Sequence, residues 1–312
     1  MEKPGYSFKR FSIKNVTAVI SVSFIYLFLS YFLVGFKTEQ LILILIFCVS
    51  YFASGTSRKF ILGFAVFIVY WIVFDYMKAF PNYKFSNVHI GGLYQFEKYL
   101  FGIKCGNTIL TPNEFWIQNQ KPFLDGLSGF FYLCWVPVPL LFAGYLFFKT
   151  REEFLKFALT FLWANILGFI VYYIYPAAPP WYMQHFGNVF YAHTPGSDAG
   201  LRRFDNMFQI KIFQSLYAQS SNVFAAMPSL HSAYPVIVLY YGLKNKLGKI
   251  NIIFTLIMAG IWFSAVYNSH HYIVDVLAGI VCAVLAIISF NWIVKNEEWA
   301  RAGLKKYIKV LE

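Results

Sequence analysis

The chain is divided into long apolar stretches, and this pattern constrains its fold more than any other feature. A membrane-spanning helix needs about 20 mostly apolar residues. Eight stretches approach or exceed that length, at residues 15–36, 39–55, 59–79, 128–148, 154–175, 228–244, 250–268 and 271–294. Only 13% of the 312 residues are charged, whereas a soluble domain is about a quarter charged. We therefore predict an all-α polytopic membrane protein with about eight transmembrane helices.

Two long polar segments, residues 80–127 and 176–227, interrupt the apolar series. Both are rich in Gly, Pro, Asn and Trp, and we expect them to be structured loops. The predicted organisation has three parts. Residues 1–58 form a cytoplasmic tail and two extra helices, residues 59–294 form a six-helix catalytic membrane domain, and residues 295–312 form a cytoplasmic tail. We expect no second soluble domain and no internal repeat.

The distribution of basic residues favours a membrane partner and argues against nucleic acid. The net charge is +12, but the basic residues lie in short runs between apolar stretches, which suits membrane topology and anionic headgroups. If the N-terminus is cytoplasmic, most of the 26 basic residues fall in cytoplasmic segments, beginning with Lys3, Lys9, Arg10 and Lys14. The charge bias therefore predicts that both termini are cytoplasmic and that both long loops face the periplasm or lumen. The short termini favour a bacterial inner membrane over a Golgi membrane.

Cysteines and carboxylates give no sign of a metal centre. The spacing of Cys48, Cys105, Cys134 and Cys282 fits neither a disulfide framework nor a metal site. The outer segments contain no cluster of carboxylate or Cys/His ligands. We therefore expect a reaction without a metal or another cofactor.

One candidate site lies where the second long loop meets the sixth apolar stretch, at Pro228-Ser229-Leu230-His231-Ser232. Proline suits the first turn of a helix, where its missing N–H costs nothing. The free N–H groups of that turn, with Ser229 and Ser232, could bind an anion, and His231 would stand beside a bound phosphate. The alternative is an ordinary helix start with an interfacial histidine.

A second candidate site lies at the outer start of the last apolar stretch. His271 and Asp275 are four residues apart, so on a helix they share one face. Asp275 could accept a hydrogen bond from one ring nitrogen and leave the other free as a nucleophile. An ionisable pair in an apolar span is costly and usually functional, although a structural bond between helices is the alternative. His270 has no carboxylate at the same offset, so we expect a headgroup contact or a bystander.

These two segments resemble signatures of the type 2 phosphatidic acid phosphatase superfamily. Pro-Ser-Leu-His at 228–231 resembles the second signature, and His271-x-x-x-Asp275 resembles the third. The resemblance implies that His271 attacks phosphorus, that Asp275 orients it, and that His231 protonates the leaving group. It extends over about residues 59–294.

Within that superfamily, the chain is similar to the inositol phosphorylceramide synthase branch. The shared features are Ala-Pro-Pro-Trp-Tyr at 178–182, Gly-Leu-Arg-Arg-Phe-Asp at 200–205, the Pro-Ser-Leu-His segment, and His270-His271-Tyr272. The phosphatase signatures carry cations that this chain lacks, since Ser264 is followed by Ala265. A phosphomonoester is nearly dianionic and usually recruits several cations, so fewer cations favour a phosphodiester substrate.

The same resemblance implies which residues bind the substrate. The Gly-Leu-x-Arg-x-Asp match falls on Arg203, which is therefore the expected phosphate-binding cation. Arg202 stands beside it at a variable position. The further candidates are Ser229, Ser232, His270 and Tyr272.

The predicted activity is transfer of phosphoinositol from phosphatidylinositol to ceramide or dihydroceramide through a phosphohistidine intermediate, releasing diacylglycerol. The same residues could instead hydrolyse phosphatidate or a polyprenyl diphosphate, with water as the acceptor. A proton-coupled transporter that uses buried His and Asp is a third alternative. The sequence does not predict the oligomeric state or the residues that recognise the inositol ring.

Overall fold

The computed structural model describes residues 11–219 and 222–312 as an almost entirely helical bundle. Lys3, Lys9 and Arg10, on which part of the charge argument rests, lie outside the described residues. The α-helices α1 to α15 are, in chain order, Ile13–Val34, Thr38–Ala53, Gly55–Tyr76, Gly91–Phe101, Pro112–Gln118, Pro122–Leu133, Pro137–Lys149, Arg151–Ile174, Pro180–Phe186, Arg202–Phe208, Ile212–Ala218, Leu230–Lys244, Ile250–Tyr267, Ile273–Asn296 and Glu298–Leu311.

The long apolar helices confirm the predicted class, an all-α integral membrane protein. Within the described ranges, six segments are long and apolar enough to cross a membrane, namely Ile13–Val34, Gly55–Ala79, Pro122–Lys149, Arg151–Ile174, Ile250–Tyr267 and Ile273–Asn296. Helix α2 is apolar but has 16 residues. Helix α12 has 15 residues and contains Pro235. Because these two are shorter than a typical span, the number of eight transmembrane helices stays a prediction.

The fourth predicted stretch is built from two helices. Helix α6 ends at Leu133, and α7 begins at Pro137. Proline has no N–H to donate into a preceding turn, so it starts the new helix at this point. The break leaves Trp135 between the two helices, where its ring lies 4.4 Å from the ring of His231, centroid to centroid.

Both long polar segments contain regular secondary structure where the structure describes them. The first contains α4, α5 and a two-stranded antiparallel hairpin, in which β1 (Ile103–Cys105) pairs with β2 (Thr108–Leu110). Gly106 in its turn has φ +59°, which favours glycine. The second polar segment contains α9, α10 and α11.

Backbone hydrogen bonds join the two polar segments to each other. His89 N donates to Pro176 O at 2.8 Å, and Ala178 N donates to His89 O at 3.0 Å. On the other side, Ala177 N donates to Phe224 O at 2.9 Å, and Ala226 N donates to Ala177 O. Residues 89, 177 and 225 therefore form a short three-stranded parallel arrangement that fixes the backbone at 224–226.

Helix α8 lies in the middle of the bundle, where it contacts α3, α7, α12 and α14. Much of its length is buried, including Phe154, Phe157 and Ala164. At the opposite end of the molecule from the candidate site, α15 packs across α3 and α8 through the buried Leu304 and Leu311. The predicted C-terminal tail is therefore largely a helix laid against the bundle.

Candidate active site

The turn between α13 and α14 presents the histidine of the second motif. Ser269 has φ +59°, an unusual conformation for serine that reverses the chain after α13. The N–H groups of His270 and His271 both donate to Ala265 O at 3.0 Å. Helix α14 then begins at Ile273. The predicted helix start at residue 271 is therefore wrong by two residues, and His271 lies in the turn before the helix.

The hydrogen bond at Nδ1 of His271 determines which ring nitrogen is free. Nδ1 lies 3.0 Å from the carbonyl oxygen of Ala226, which can only accept, so Nδ1 carries the proton and Nε2 keeps its lone pair. Asp275 Oδ2 is 3.7 Å from the same Nδ1, an ion-pair distance too long for a hydrogen bond. Nδ1 of His271 therefore donates to the backbone carbonyl of Ala226 and not, as predicted, to the carboxylate of Asp275. Asp275 Oδ2 instead accepts from the backbone N–H of Tyr272 at 2.8 Å.

His231 lies on α12 and faces His271 across the site. Its Nδ1 is 3.4 Å from Nε2 of His271. Helix α12 begins at Leu230, with Ser229 as its N-cap, so the prediction that Pro228 occupies the first helical turn is wrong. The hydroxyls of Ser229 and Ser232 are buried and hydrogen-bonded to each other at 3.0 Å. The hydroxyl of Ser229 caps α12 by accepting from the Ser232 N–H, and contact of either serine with phosphate stays a prediction.

A direct backbone bond joins the two helices that carry the motifs. Ser229 N donates to Asp275 O at 2.9 Å, so the start of α12 is attached to the first turn of α14. Gly279, one turn further along α14, makes this approach possible. A Cβ there would overlap the carbonyl oxygen of Ser229 and would lie 3.3 Å from the Cβ of Ser232.

Two tyrosines that the motifs did not predict support His231. The hydroxyl of Tyr132, on α6, lies 3.1 Å from Nδ1 of His231, and Tyr132 is fully buried. Tyr217, on α11, donates to the Tyr132 hydroxyl at 3.2 Å. A hydroxyl can both donate and accept, so Tyr132 can stabilise His231 in its neutral and its protonated form.

His270 occupies a separate position from His271. Its Nε2 lies 3.1 Å from the carbonyl oxygen of Asp198, and its ring stacks on Tyr217 at 4.4 Å between centroids. Burial, with a smaller effect from the neighbouring His271, lowers the pKa of His270 to about 3. The bond to Asp198 O and the stack on Tyr217 give this ring a structural role, and a headgroup contact stays a prediction.

Glu97 and Asn113, from the first polar segment, hold the turn that carries His271. The carboxyl oxygens of Glu97 accept from the N–H groups of Ile273 at 2.9 Å and Val274 at 3.1 Å, at the start of α14. Burial raises the pKa of Glu97 to about 7. Asn113 Nδ2 donates to the carbonyl oxygens of Val266 at 2.8 Å and His271 at 2.9 Å.

The arginine that the resemblance selected is already paired. Arg203 Nε donates to Asp125 at 2.6 Å, and its guanidinium lies 5.2 Å from the ring centroid of Tyr267. Arg202 forms a 3.0 Å ion pair with the buried Asp198. Its own side chain is 61% exposed. Phosphate binding by either arginine therefore stays a prediction.

The Ala-Pro-Pro-Trp-Tyr segment connects the second loop to the catalytic turn. Pro179 is the N-cap of α9, and Pro180 is its first residue. Trp181 N donates to Ser269 O at 3.1 Å, next to the histidine pair. The tyrosine of this segment, Tyr182, is buried and donates to Val189 O at 2.9 Å. The segment thus shapes the site through backbone contacts.

A cavity of about 750 Å³ lies against the histidines, a volume typical of ligand sites. His231, His270 and His271 line it. Within residues 11–219 and 222–312, its lining does not include Ser229, Ser232, Arg202, Arg203 or Tyr272. In the same described ranges, no group of three His, Cys, Asp or Glu side chains is arranged to hold a metal ion.

A helical membrane bundle with two facing histidines and a buried aspartate at one end of a cavity defines the class of protein. The chain belongs to the PAP2 superfamily, whose profile matches residues 107–289. Within that superfamily it lies in the inositol phosphorylceramide synthase branch, as predicted.

Three curated relatives carry that assignment. The phosphoinositol dihydroceramide synthase of Bacteroides thetaiotaomicron is 43% identical over 89% of this chain and 92% of its own length. The inositol phosphorylceramide synthase of Candida albicans is 25% identical over 86% of this chain and 57% of its own. The catalytic subunit of the Saccharomyces cerevisiae inositol phosphorylceramide synthase is 27% identical over 72% of this chain and 54% of its own length. No solved structure matches the chain.

Proposed function

We propose that this protein transfers the phosphoinositol headgroup of phosphatidylinositol to the primary hydroxyl of ceramide or dihydroceramide. The observation that carries the proposal is the pair of ring nitrogens at the cavity, Nε2 of His271 and Nδ1 of His231, 3.4 Å apart. The similarity to a phosphoinositol dihydroceramide synthase over nearly the whole chain supports the choice of lipids.

In the first step, Nε2 of His271 attacks phosphorus and the bond from phosphorus to the diacylglycerol oxygen breaks. The proton on Nδ1 of His271 remains bonded to Ala226 O, which keeps the lone pair on Nε2. The buried carboxyl of Asp275, 3.7 Å from that Nδ1, stabilises the positive charge that develops on the ring. Protonated His231 gives its proton to the leaving oxygen.

In the second step, the primary hydroxyl of the acceptor attacks the phosphohistidine. Neutral His231 takes the hydroxyl proton, the bond from phosphorus to Nε2 breaks, and His271 returns to its starting form. The Tyr132 hydroxyl, 3.1 Å from Nδ1 of His231, can hydrogen-bond to His231 in both protonation states because it accepts as well as donates. Atoms and charge balance over the two steps, with diacylglycerol and an inositol phosphorylceramide as products.

Exclusion of water distinguishes transfer from hydrolysis. Asp275 is buried, His271 is 7% exposed, and His231 is partly buried. The aromatic side chains of Tyr70 and Trp135 line the cavity together with His231 and His271. A lipid hydroxyl that enters this apolar space meets the phosphohistidine with little competition from water.

Orientation and phosphate binding belong to the same proposal. The positive-inside rule supports a site on the non-cytoplasmic face, with lipids reaching it from the outer leaflet of a bacterial inner membrane. Arg203 is proposed to act on the phosphate only if the donor displaces Asp125, which holds its guanidinium at 2.6 Å. Arg203→Ala should then raise the KM for phosphatidylinositol, whereas an unchanged KM would leave Arg203 with a positioning role.

Product analysis tests the function directly. Purified protein in mixed micelles is given phosphatidylinositol labelled in the inositol ring, with and without dihydroceramide, and the products are separated by chromatography. We expect a labelled sphingolipid that His271→Asn abolishes. The exposed His193→Asn serves as the matched control and should retain activity. Labelled inositol phosphate as the main product with acceptor present would instead identify a hydrolase.

A further inference from the structure

The cavity at the catalytic histidines continues past α3 to the first two helices. Tyr70 and Phe74 of α3 line its middle part. Leu43 and Ile46 of α2, with Tyr26 of α1, line its far part. These three helices lie N-terminal to the PAP2 match at residues 107–289, so this end of the cavity is built outside the superfamily core.

Side-chain contacts hold the far wall in place. The Tyr76 hydroxyl, at the end of α3, is 2.9 Å from Ser30 Oγ of α1 and 3.3 Å from Tyr26 O. Gln40 Nε2 of α2 donates to Gly35 O at 2.9 Å, which closes the connection between α1 and α2. The end of α1 and the start of α2 are thus attached to the end of α3, which lines the same cavity as the histidines.

The mouth of the cavity, defined here by Lys37, Glu39, Asp75 and Lys78, carries no net formal charge. Lys78 Nζ lies 2.6 Å from Asp75 and is neutralised by it. Because the four charges cancel, a charged phosphodiester gains no net attraction here, whereas an uncharged amphiphile enters without desolvating a charge. Beyond the mouth, α2 offers aliphatic side chains, Ile42, Leu43 and Ile46, that suit a hydrocarbon chain.

We propose that α2 and the facing side of α3 form a hydrocarbon subsite for a chain of the lipid acceptor. The acceptor's primary hydroxyl lies at His231 while one of its chains extends along Tyr70 and Phe74 to Leu43 of α2. The inference rests on the proposed transfer activity and adds to it a subsite that selects acceptor chain length. The occupant is the uncharged sphingoid lipid and not the diacylglycerol part of the donor.

A tryptophan scan on α2 tests the subsite with a control from the same helix. Leu43 is half-buried and lines the cavity, whereas Leu45 is 62% exposed and does not. The two positions are about 200° apart around the helix. Turnover by Leu43→Trp and Leu45→Trp is measured with dihydroceramides of short and long N-acyl and sphingoid chains at a fixed donor. A second series varies the acyl chain length of phosphatidylinositol at a fixed acceptor. Leu43→Ala supplies the opposite change in volume.

We expect Leu43→Trp to lower the ratio of long-chain to short-chain kcat/KM at least about tenfold, since methylene contacts in a pocket discriminate by about that much. Leu45→Trp should leave the ratio unchanged, and Leu43→Ala should raise it. If Leu43→Trp does not fold, the Leu43→Ala ratio alone decides. An unchanged ratio in the folded Leu43 variants overturns the proposal, as does a change that follows only the donor chain length. Absence of any transfer by the unsubstituted protein would instead refute the proposed function.

Discussion

Gly279→Ala is a sharp test of how the two motifs are held together. The added Cβ overlaps the carbonyl oxygen of Ser229 and lies 3.3 Å from Ser232 Cβ. Carbon atoms pack best at about 3.5–4.0 Å, so α12 must retreat from α14 by on the order of 1 Å. The bond from Ser229 N to Asp275 O would then lengthen from 2.9 Å towards breaking.

The same retreat separates the reacting nitrogens. His231 travels with α12, so its 3.4 Å separation from His271 would grow. A misplacement of about 1 Å can cost roughly 100-fold in rate, and overpacking of a core costs about 1–3 kcal/mol of stability. We therefore expect Gly279→Ala to lower kcat about 100-fold, with a smaller effect on folding.

Transfer of labelled phosphoinositol to dihydroceramide, with thermal unfolding in the same detergent, measures both effects. Gly144→Ala on α7 is the matched control, because a Cβ at Gly144 meets nothing within 4 Å. Alanine there should keep activity and stabilise the helix by up to about 1 kcal/mol. If Gly279→Ala retained kcat within about threefold of the unsubstituted protein, the contact between α12 and α14 would not position His231.

Further substitutions test the residues that support the site. Tyr132→Phe removes the hydroxyl at Nδ1 of His231. It should lower kcat about tenfold with KM unchanged and shift the pH profile of kcat. An unaltered pH profile would show that Tyr132 does not stabilise either protonation state of His231. Because the pKa of Glu97 is raised from its ordinary 4.5 to about 7, its native carboxyl keeps a proton that the unfolded chain loses. The free energy of unfolding should therefore fall by up to about 3 kcal/mol as the pH rises from about 4.5 to 7. Glu97→Gln should flatten this dependence of Tm on pH. Asn113→Ala removes the bonds from Nδ2 to Val266 O, which still accepts from Ser269 N, and to His271 O. The loss should cost about 1–3 kcal/mol, and an unchanged Tm would contradict this expectation.

Features with a strong local pattern could be predicted from the sequence. Apolar stretches of span length give the membrane helices, because a helix satisfies its backbone groups within one continuous segment. The Pro-Ser-Leu-His and His-x-x-x-Asp patterns identified His231, His271 and Asp275, and all three come together at one end of the bundle. The resemblance to a known branch supplied their roles.

Long-range contacts could not be predicted, because they depend on how separate segments meet. Tyr132 is 99 residues from His231, and Glu97 is 176 residues from Ile273. Nothing in the local sequence around either residue distinguishes it from other buried side chains. The bond from His271 to Ala226 O likewise depends on backbone pairing between the two long loops.

Two local expectations failed for reasons of chain geometry. The N-cap residue of a helix typically has an extended conformation. Tyr272 and Ser229 are the N-caps here, which leaves His271 and Pro228 outside their helices. The spacing of four residues still brings His271 near Asp275. The carboxylate, however, caps the backbone of Tyr272 in place of the predicted bond to the ring.

Trapping the covalent intermediate tests the central claim most directly. Protein mixed with inositol-labelled phosphatidylinositol and no acceptor is quenched at alkaline pH, digested and analysed by mass spectrometry. The account predicts phosphoinositol on Nε2 of His271, absent from His271→Asn, and released as a labelled sphingolipid when dihydroceramide is added before the quench. Transfer to dihydroceramide by His271→Asn, or an adduct on another residue that passes to the acceptor at the rate of turnover, would contradict it.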